Sequence, residues 1–194
     1  DMFWDVRLYQ GSSFESQLLE ESSRYYEAEV ETVLRDFDLS HILSHIDKRL
    51  KEESTRVLNY LNPCSEKRLL SCVERHYLER HSSVMIDKGF SDLMLKNAHE
   101  DLALMYELYD RVDALTQLKD AFKSHIEKEG LRIVKGNENM ISSLLDFKDR
   151  MDKTVRKSFR DDRIFQIARE EAFVVVMNSR QKRPPELLAK FMHQ

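Results

Sequence analysis

Glycine and proline, the two residues that most often interrupt helices, are scarce in this sequence. Only four glycines and three prolines occur among 194 residues, and 34% of the residues are charged. Because Glu, Lys, Arg and Leu favour the helix interior and proline breaks it, this composition predicts a chain that is almost all helix. A chain of this length is long enough for one or two domains with a sizeable core.

The charge and cysteine content argue against a nucleic-acid-binding, membrane or disulfide-rich protein. The chain carries 31 basic and 35 acidic residues, so its net charge of -4 gives no broad reason to bind nucleic acid or an anionic membrane. No apolar run approaches the roughly 20 residues of a membrane span. Two cysteines, Cys64 and Cys72, are too few for a disulfide framework. We therefore expect an intracellular protein, in the cytoplasm and/or nucleus, with reduced thiols.

Apolar residues recur at spacings of three and four, which predicts consecutive long helices. The pattern indicates helices over residues 14–37, 66–86 and 114–129, with a turn at 91–97. Asp38 or Ser40 is the predicted N-cap of a further helix, which carries Leu58 inward. Ser65 is the predicted cap and Val84 a predicted core residue of the helix over 66–86.

Glycines predict where two helices end, and a run of valines predicts how deeply a later helix is buried. Gly89 is predicted to stop the third helix, and Gly130 is predicted to end the fifth as a C-cap. Residues 174–176 are three valines after a helical segment, so we expect a helix buried on several sides. The proline pair at 184–185 fits the first turn of a last helix.

Short connections between apolar-striped helices predict helix-on-helix packing in stacked layers. Residues 135–139, Lys-Gly-Asn-Glu-Asn, give the clearest boundary in the chain. The boundary divides the sequence into an opening segment, a first group of helices, a linker and a second group of helices. These parts are residues 1–13, 14–134, 135–139 and 140–194.

Two residue pairs have the spacing of a reactive site, and each has a simpler explanation. His41 and His45 share one helix face, as zinc ligands can, but a metalloprotease would have Glu where Ile42 stands. No third ligand suggests itself. Cys72 and His76 are four residues apart, and an imidazole can activate a thiol. Packing is the commoner role of such a pair in a leucine-rich helix.

Other polar patterns also favour structure over chemistry. His76 and His81 are five residues apart and point in different directions around a helix. The charged positions between Leu144 and Phe159 alternate with an apolar stripe, which is typical of a solvated face. The basic cluster within residues 180–183 is too small to indicate nucleic-acid binding. Four tyrosines are interpreted as core residues with hydroxyl groups at the edge: Tyr25, Tyr26, Tyr106 and Tyr109. We therefore predict no catalytic residue, no cofactor and no metal.

Residues 100–134, EDLALMYELYDRVDALTQLKDAFKSHIEKEGLRIV, resemble the stalk of the cullin family. The shared pattern is Asp-Leu, a Tyr, Leu-Phe/Tyr-x-Arg, then a helix ending in Gly and an apolar pair. The matching positions are Asp101, Leu102, Tyr106, Leu108, Tyr109, Arg111, Gly130, Ile133 and Val134. Residues 18–29 and 46–61 resemble the second cullin repeat, and residues 144–159 and 170–193 the third. The resemblance implies that residues 14–134 are the second repeat and residues 140–194 the first part of the third. The chain departs from the family at Tyr109-Asp110, where Phe-Ser is common.

The resemblance implies an all-α fold of stacked helical bundles that form an elongated stalk. It implies a rigid, non-catalytic scaffold segment of a cullin-RING ubiquitin ligase in ubiquitin-dependent protein degradation. The expected protein partners are a substrate adaptor and a RING subunit, with this chain itself monomeric. The branch with a β-propeller adaptor is the most similar, and the branch with BTB adaptors is second.

Within this interpretation, apolar residues matter through packing. The predicted structural core is Leu118, Phe122, Ile126, Leu144, Phe147, Phe159 and Phe173. Two other functions fit the composition. The first is a helical-rod subunit of a tethering or other multiprotein complex. The second is an enzyme with a cofactor inside a helical bundle, for which the sequence offers no set of ligands.

Overall fold

The computed structural model describes residues 13–60, 65–136 and 140–179, and no β-strand occurs within those ranges. The α-helices are α1 (Ser13–Asp36), α2 (Leu39–Tyr60), α3 (Glu66–Glu74), α4 (Ser82–Met85), α5 (Ser91–Lys96), α6 (His99–Asp110), α7 (Leu115–Gly136), α8 (Met140–Ser158) and α9 (Arg163–Asn178). Two π-helical segments, Arg75–Glu79 and Ile86–Phe90, flank α4. The all-α class predicted from the composition is confirmed.

The chain divides into two compact units. The first comprises residues 1–89 and 107–114, and the second comprises residues 90–106 and 115–194. Helix α6 supplies residues to both. This division differs from the repeat boundaries predicted from the sequence. Those boundaries stay a prediction, and residues 137–139 of the predicted linker lie outside the described residues.

The first unit is built from α1, α2 and α3, and α3 packs on both α1 and α2. Helix α2 begins as predicted, because the carboxylate of Asp38 accepts a hydrogen bond from the backbone N–H of His41 at 2.9 Å. Its apolar stripe of Ile42, Leu43 and Ile46 is fully buried. The hydroxyl of Tyr109 donates to the backbone carbonyl of Ser82 at 2.7 Å.

The second unit is built around α7, α8 and α9, with α9 lying along α7. Its centre is an aromatic cluster of Tyr106, Phe122, Phe159 and Phe165. Asp162 begins α9, since its carboxylate accepts from the backbone N–H of Ile164 at 3.0 Å. The second oxygen of Asp162 accepts from the hydroxyl of Tyr106 at 2.9 Å.

Both glycine predictions were wrong. Helix α7 continues through Gly130 to Gly136, and Gly89 lies inside the second π-helical segment instead of ending a helix. Close approach to a neighbour explains both glycines. A Cβ atom on Gly130 would lie 2.5 Å from a methyl carbon of Val176, and a Cβ atom on Gly89 would lie 2.9 Å from the Cβ of Leu39.

Several predicted element boundaries differ from the structure. One continuous helix was expected over residues 66–86. In the structure, α3 ends at Glu74, the π-helical segment Arg75–Glu79 follows it directly, and the chain then breaks before α4. The turn expected at 91–97 is the short helix α5. Ser65 precedes α3 without a capping hydrogen bond from its side chain. Local apolar spacing of three and four does not reveal a π-helical turn, because such turns are rare and have a different hydrogen-bond period.

Some residues predicted to be buried are exposed. Leu58 is 74% exposed and Val84 is 47% exposed. Tyr25 is exposed, whereas Tyr26, Tyr106 and Tyr109 are buried as predicted. Of the three valines in α9, the structure buries only the last, which corrects the expectation of a helix buried on several sides. The basic cluster, the proline pair and Cys64 lie outside the described residues.

Candidate functional site

A polar network centred on Glu29 joins α1, α2 and the first π-helical segment. Arg49 donates hydrogen bonds to both carboxylate oxygens of Glu29 and, at 2.7 Å, to Glu52. The hydroxyl of Tyr77 donates to Glu29 Oε2 at 2.6 Å, and that of Tyr25 donates to Oε1 at 3.1 Å. One carboxylate on α1 therefore receives donors from three parts of the first unit.

The network holds Glu29 in its ionised form. Burial by itself would raise the pKa of Glu29, but the hydrogen bonds from Arg49 and Tyr77 outweigh it and lower the pKa. Burial, together with the bond to Glu29, raises the pKa of Tyr77. Every strong donor around the carboxylate is already in use, so Glu29 serves as a structural acceptor and not as a general base.

We expect Glu29→Gln to lower the free energy of unfolding by about 2 kcal/mol, because hydrogen bonds to charged groups contribute about 1.5–3 kcal/mol. The substitution keeps the shape but removes the carboxylate of Glu29 from the half-buried Arg49, which then has only Glu52 as an ionised partner. Urea unfolding measures the effect. The matched control is Glu20→Gln, which removes an exposed pair with Arg24 and should change stability by less than about 0.5 kcal/mol. Equal effects in the two variants would contradict the assigned role.

The fully buried carboxylate of Glu53 lies next to this network. Glu53 accepts hydrogen bonds from Tyr26 and, at 2.7 Å, from Arg56 through one oxygen, while its buried Oε2 has no hydrogen-bond partner. A groove of about 410 Å³ runs alongside, lined by Glu21, Ser22, Tyr25, Tyr26, Arg49 and Arg56. Its two arginines are already bound to carboxylates. The groove therefore offers no unmatched charge to select a ligand.

The Cys72–His76 pair does not form an activated thiol. Burial raises the pKa of Cys72, which keeps the thiol protonated, and the thiolate is the nucleophilic form. The ring of His76 is bonded to the hydroxyl of Ser23 at 2.7 Å, and burial lowers its pKa. His81 bonds to the backbone carbonyl of His76 at 2.8 Å, so the two imidazoles do not converge.

The two histidines on α2 bond to different partners and do not form a joint site. His41 is exposed and bonds to Asp38 at 2.7 Å, whereas His45 lies 3.6 Å from Glu29 and 3.3 Å from the hydroxyl of Tyr77. Within residues 13–60, 65–136 and 140–179, no group of three or more His, Cys, Asp or Glu side chains is placed to hold a metal ion.

The charged positions of α8 lie mainly in solvent. Asp146, Asp149 and Arg150 are exposed. Asp152, which is half-buried, pairs with Arg169 of α9 at 2.7 Å. The exposed charges therefore lie on the solvent side of α8, and Asp152 lies at the edge of α8 that meets α9.

The seven predicted core residues all lie in the interior of the second unit. Phe159 stacks on Phe165 with ring centroids 4.3 Å apart and meets Phe122 edge-on at 5.3 Å. Phe147 packs against Phe173 at 5.8 Å. The remaining members of the seven, all buried, are Leu118, Ile126 and Leu144. These contacts and this burial give the unit a close-packed apolar interior.

His125 is a buried titratable group in this unit. Its ring meets Phe90 edge-on at 6.4 Å, and burial lowers its pKa. The charges of Arg150 and Lys128 act in the same direction, and that of Glu129 opposes them. The folded state therefore holds a neutral imidazole where the unfolded state has the ordinary pKa of about 6.5.

This difference makes stability depend on pH. As the pH falls through about 6.5, the unfolded chain takes up a proton that folded His125 does not, so the free energy of unfolding decreases. The decrease ends once the pH falls below the lowered pKa of the folded state. We expect urea unfolding to show this loss between about pH 7.5 and pH 5, and a smaller loss in His125→Gln. The same pH dependence in parent and variant would contradict it.

Comparison with known proteins shows what the whole chain is similar to. The family described as the cullin alpha solenoid domain matches residues 1–194. Human Cullin-4A is 35% identical over 97% of this chain, and Cullin-4 of Dictyostelium discoideum is 29% identical over 93% of it. Cullin-3A of Arabidopsis thaliana is 31% identical over 98%.

The chain spans about a quarter of the length of these curated relatives: 25% of Cullin-4A, 23% of Cullin-4 and 28% of Cullin-3A. None of the helices within the described ranges is long and apolar enough to cross a membrane.

Proposed function

Because the chain belongs to the cullin family, we propose that it is a rigid scaffold segment of a cullin-RING ubiquitin ligase. It holds a substrate-adaptor end and an end that recruits the RING subunit and ubiquitin carrier at a fixed separation. Its role is in ubiquitin-dependent protein degradation. The observation that carries the proposal is the family match over residues 1–194.

A scaffold of this kind works through proximity. Holding two reactants in a fixed geometry removes much of the entropic cost of their meeting. The stiffness that this requires comes from close-packed interiors with few voids. Two features of the described residues support such a role: the aromatic centre around Phe159 and the donor-rich network around Glu29.

The proposed contribution to the ligase is non-catalytic. Of the two pairs with reactive spacing, Cys72 and His76 are held in unreactive forms by burial, and His41 and His45 bond to separate carboxylates. The partners are proteins, namely a substrate adaptor and a RING subunit bound elsewhere in the full-length protein, while this segment itself is monomeric. The setting is the cytoplasm and/or nucleus. The β-propeller-adaptor branch stays the first choice and the BTB-adaptor branch the second, both from the sequence resemblance.

Purification of the full-length protein from its own cells tests this proposal. We expect a RING subunit and a substrate adaptor to co-purify with it, and we expect ubiquitin transfer that is lost when the RING subunit is removed. Co-purification with the subunits of a tethering complex, without ubiquitin transfer, would overturn the proposal in favour of the alternative scaffold function.

A further inference from the structure

The C-terminal half of α8 carries a row of exposed basic side chains. This α8 basic face consists of Arg150, Lys153, Arg156 and Lys157. Successive residues of an α-helix are about 100° apart, so Arg150, Lys153 and Lys157 lie within about 60° of one another and Arg156 borders them. The row is about 10 Å long at a rise of about 1.5 Å per residue. Such a concentration of positive charge is a local feature, because the whole chain has a net charge of -4.

The cations of the α8 basic face are not neutralised by the protein. Within residues 13–60, 65–136 and 140–179, none of the four has a carboxylate within 4 Å. The guanidinium of Arg150 lies over the ring of Phe147, 5.5 Å from its centroid. Arg156 donates to the backbone carbonyl of Asp152 at 3.4 Å. Neither contact supplies a negative charge, so the positive charges of the face remain unmatched.

Other helices of this chain neutralise exposed cations locally. On α2, Lys51 pairs at 2.6 Å with Asp47, which is four residues earlier. Asp149 likewise stands four residues before Lys153, the order that favours a helical ion pair, but these two side chains do not pair within the described residues. The α8 basic face therefore differs from an ordinary solvated face on which opposite charges pair.

Two histidines on neighbouring helices are affected by the positive charge of this face. Burial lowers the pKa of His99 on α6, and the charges of Lys157 and Lys153 lower it further. Burial also lowers the pKa of His125 on α7, and the charge of Arg150 acts in the same direction. The positive potential thus extends from the solvent side of α8 to the side chains beside it.

We propose that the α8 basic face docks an acidic segment of a partner protein. Unmatched cations on an exposed surface attract a partner of opposite charge and fix its register. A short run of glutamates or aspartates that spans about 10 Å matches the row. Asp146 and Asp149 are exposed on the same side of α8, just before the row. They repel a long polyanion, such as nucleic acid or an anionic membrane, that continues past the cations.

Charge variants of the 194-residue chain test this surface. The probe is a fluorescently labelled synthetic peptide with four consecutive glutamates, and anisotropy at low ionic strength measures its affinity. We expect Lys153→Glu/Lys157→Glu to weaken binding at least about tenfold, because attraction becomes repulsion at two positions. Lys153→Gln/Lys157→Gln, which only removes the charges, should weaken it less. Both lysines are exposed, so neither variant disturbs the packed side of α8.

The matched control is Lys67→Glu/Lys96→Glu, which makes the same change in net charge at two other exposed lysines. Its affinity should stay within about twofold of the parent chain. Equal weakening in the control and in Lys153→Glu/Lys157→Glu would overturn the proposal. So would the lack of saturable binding by the parent chain. Tighter binding of a short DNA duplex or of phosphatidylserine vesicles, lost in the same variant, would overturn it in favour of a polyanion site.

The imidazole of His99 provides a second readout of where the peptide binds. Carboxylates bound at Lys153 and Lys157 oppose the charges that lower the pKa of His99, so a saturating amount of peptide should raise that pKa. Titration of the ring signals by nuclear magnetic resonance, with and without peptide, measures the change. An unchanged pKa of His99 at saturation would place the peptide elsewhere on the chain and would overturn the proposal.

Discussion

Phe159→Ala is expected to lower the free energy of unfolding by about 3–5 kcal/mol, as measured by urea or guanidinium unfolding. The ring is fully buried and contacts three other aromatic rings: it stacks on Phe165, meets Phe122 edge-on and lies 6.0 Å from Tyr106. Truncation removes these contacts and leaves a cavity in the middle of the second unit. The surrounding rings are large and rigid, so they can close the cavity only in part.

The matched control is Phe37→Ala, the same chemical change at a position that is 47% exposed. Phe37 follows α1 and contacts the exposed ring of His41 at 6.3 Å. Its loss should cost less than about 1 kcal/mol, because surface substitutions have small effects. If the two variants had similar stability, the aromatic cluster would not be the centre of the unit.

Gly130→Ala is expected to destabilise the second unit by about 1–2 kcal/mol. The added Cβ would lie 2.5 Å and 3.0 Å from the two methyl carbons of the buried Val176. Overpacking of this kind costs about 1–3 kcal/mol. Alanine's better helix propensity returns up to about 1 kcal/mol. Val176 cannot easily rotate away, since β-branched side chains on helices are restricted to one main rotamer.

Two further variants separate this clash from a general effect of alanine. Gly136→Ala lies on the same helix, and its Cβ would meet nothing within 4 Å, so its stability should be unchanged or slightly raised. Val176→Ala removes the clashing methyl groups, so Gly130→Ala should cost much less in that background. Equal costs of Gly130→Ala in both backgrounds would contradict the close approach of α7 and α9.

Local patterns in the sequence predict the helices well because local physics decides them. Scarce glycine and proline and the three-to-four apolar spacing predict α1 to within one residue at each end, and the predicted caps place the start of α2 within one residue. The cap at Asp38 is likewise a local signal. The same local rules failed at Gly89 and Gly130. At both positions a side chain would collide with a residue of another helix that is distant in sequence. Nothing in the adjacent residues distinguishes such a glycine from a helix stop.

The network around Glu29 was missed for a related reason. Glu29 and Arg49 are 20 positions apart on different helices, and Tyr77 is a further 28 residues along the chain. No spacing rule links them. The π-helical turn that places Tyr77 is also a rare element, which the apolar spacing typical of an α-helix does not indicate. In contrast, the interior positions of the second unit follow from apolar periodicity alone, since burial is the periodic property.

Replacement of residues 13–179 in the full-length protein by a flexible Gly-Ser linker of the same number of residues tests the scaffold claim most directly. The variant keeps both ends tethered but removes the packed segment between them. Two rates are compared: ubiquitin transfer to an adaptor-bound substrate, and discharge of the ubiquitin carrier onto free lysine. We predict that the first falls at least about tenfold while the second is unchanged, because fixed geometry matters only for the bound substrate. Unchanged transfer to the substrate, or an equal fall in both rates, would contradict a non-catalytic scaffold that holds its two ends at a fixed separation.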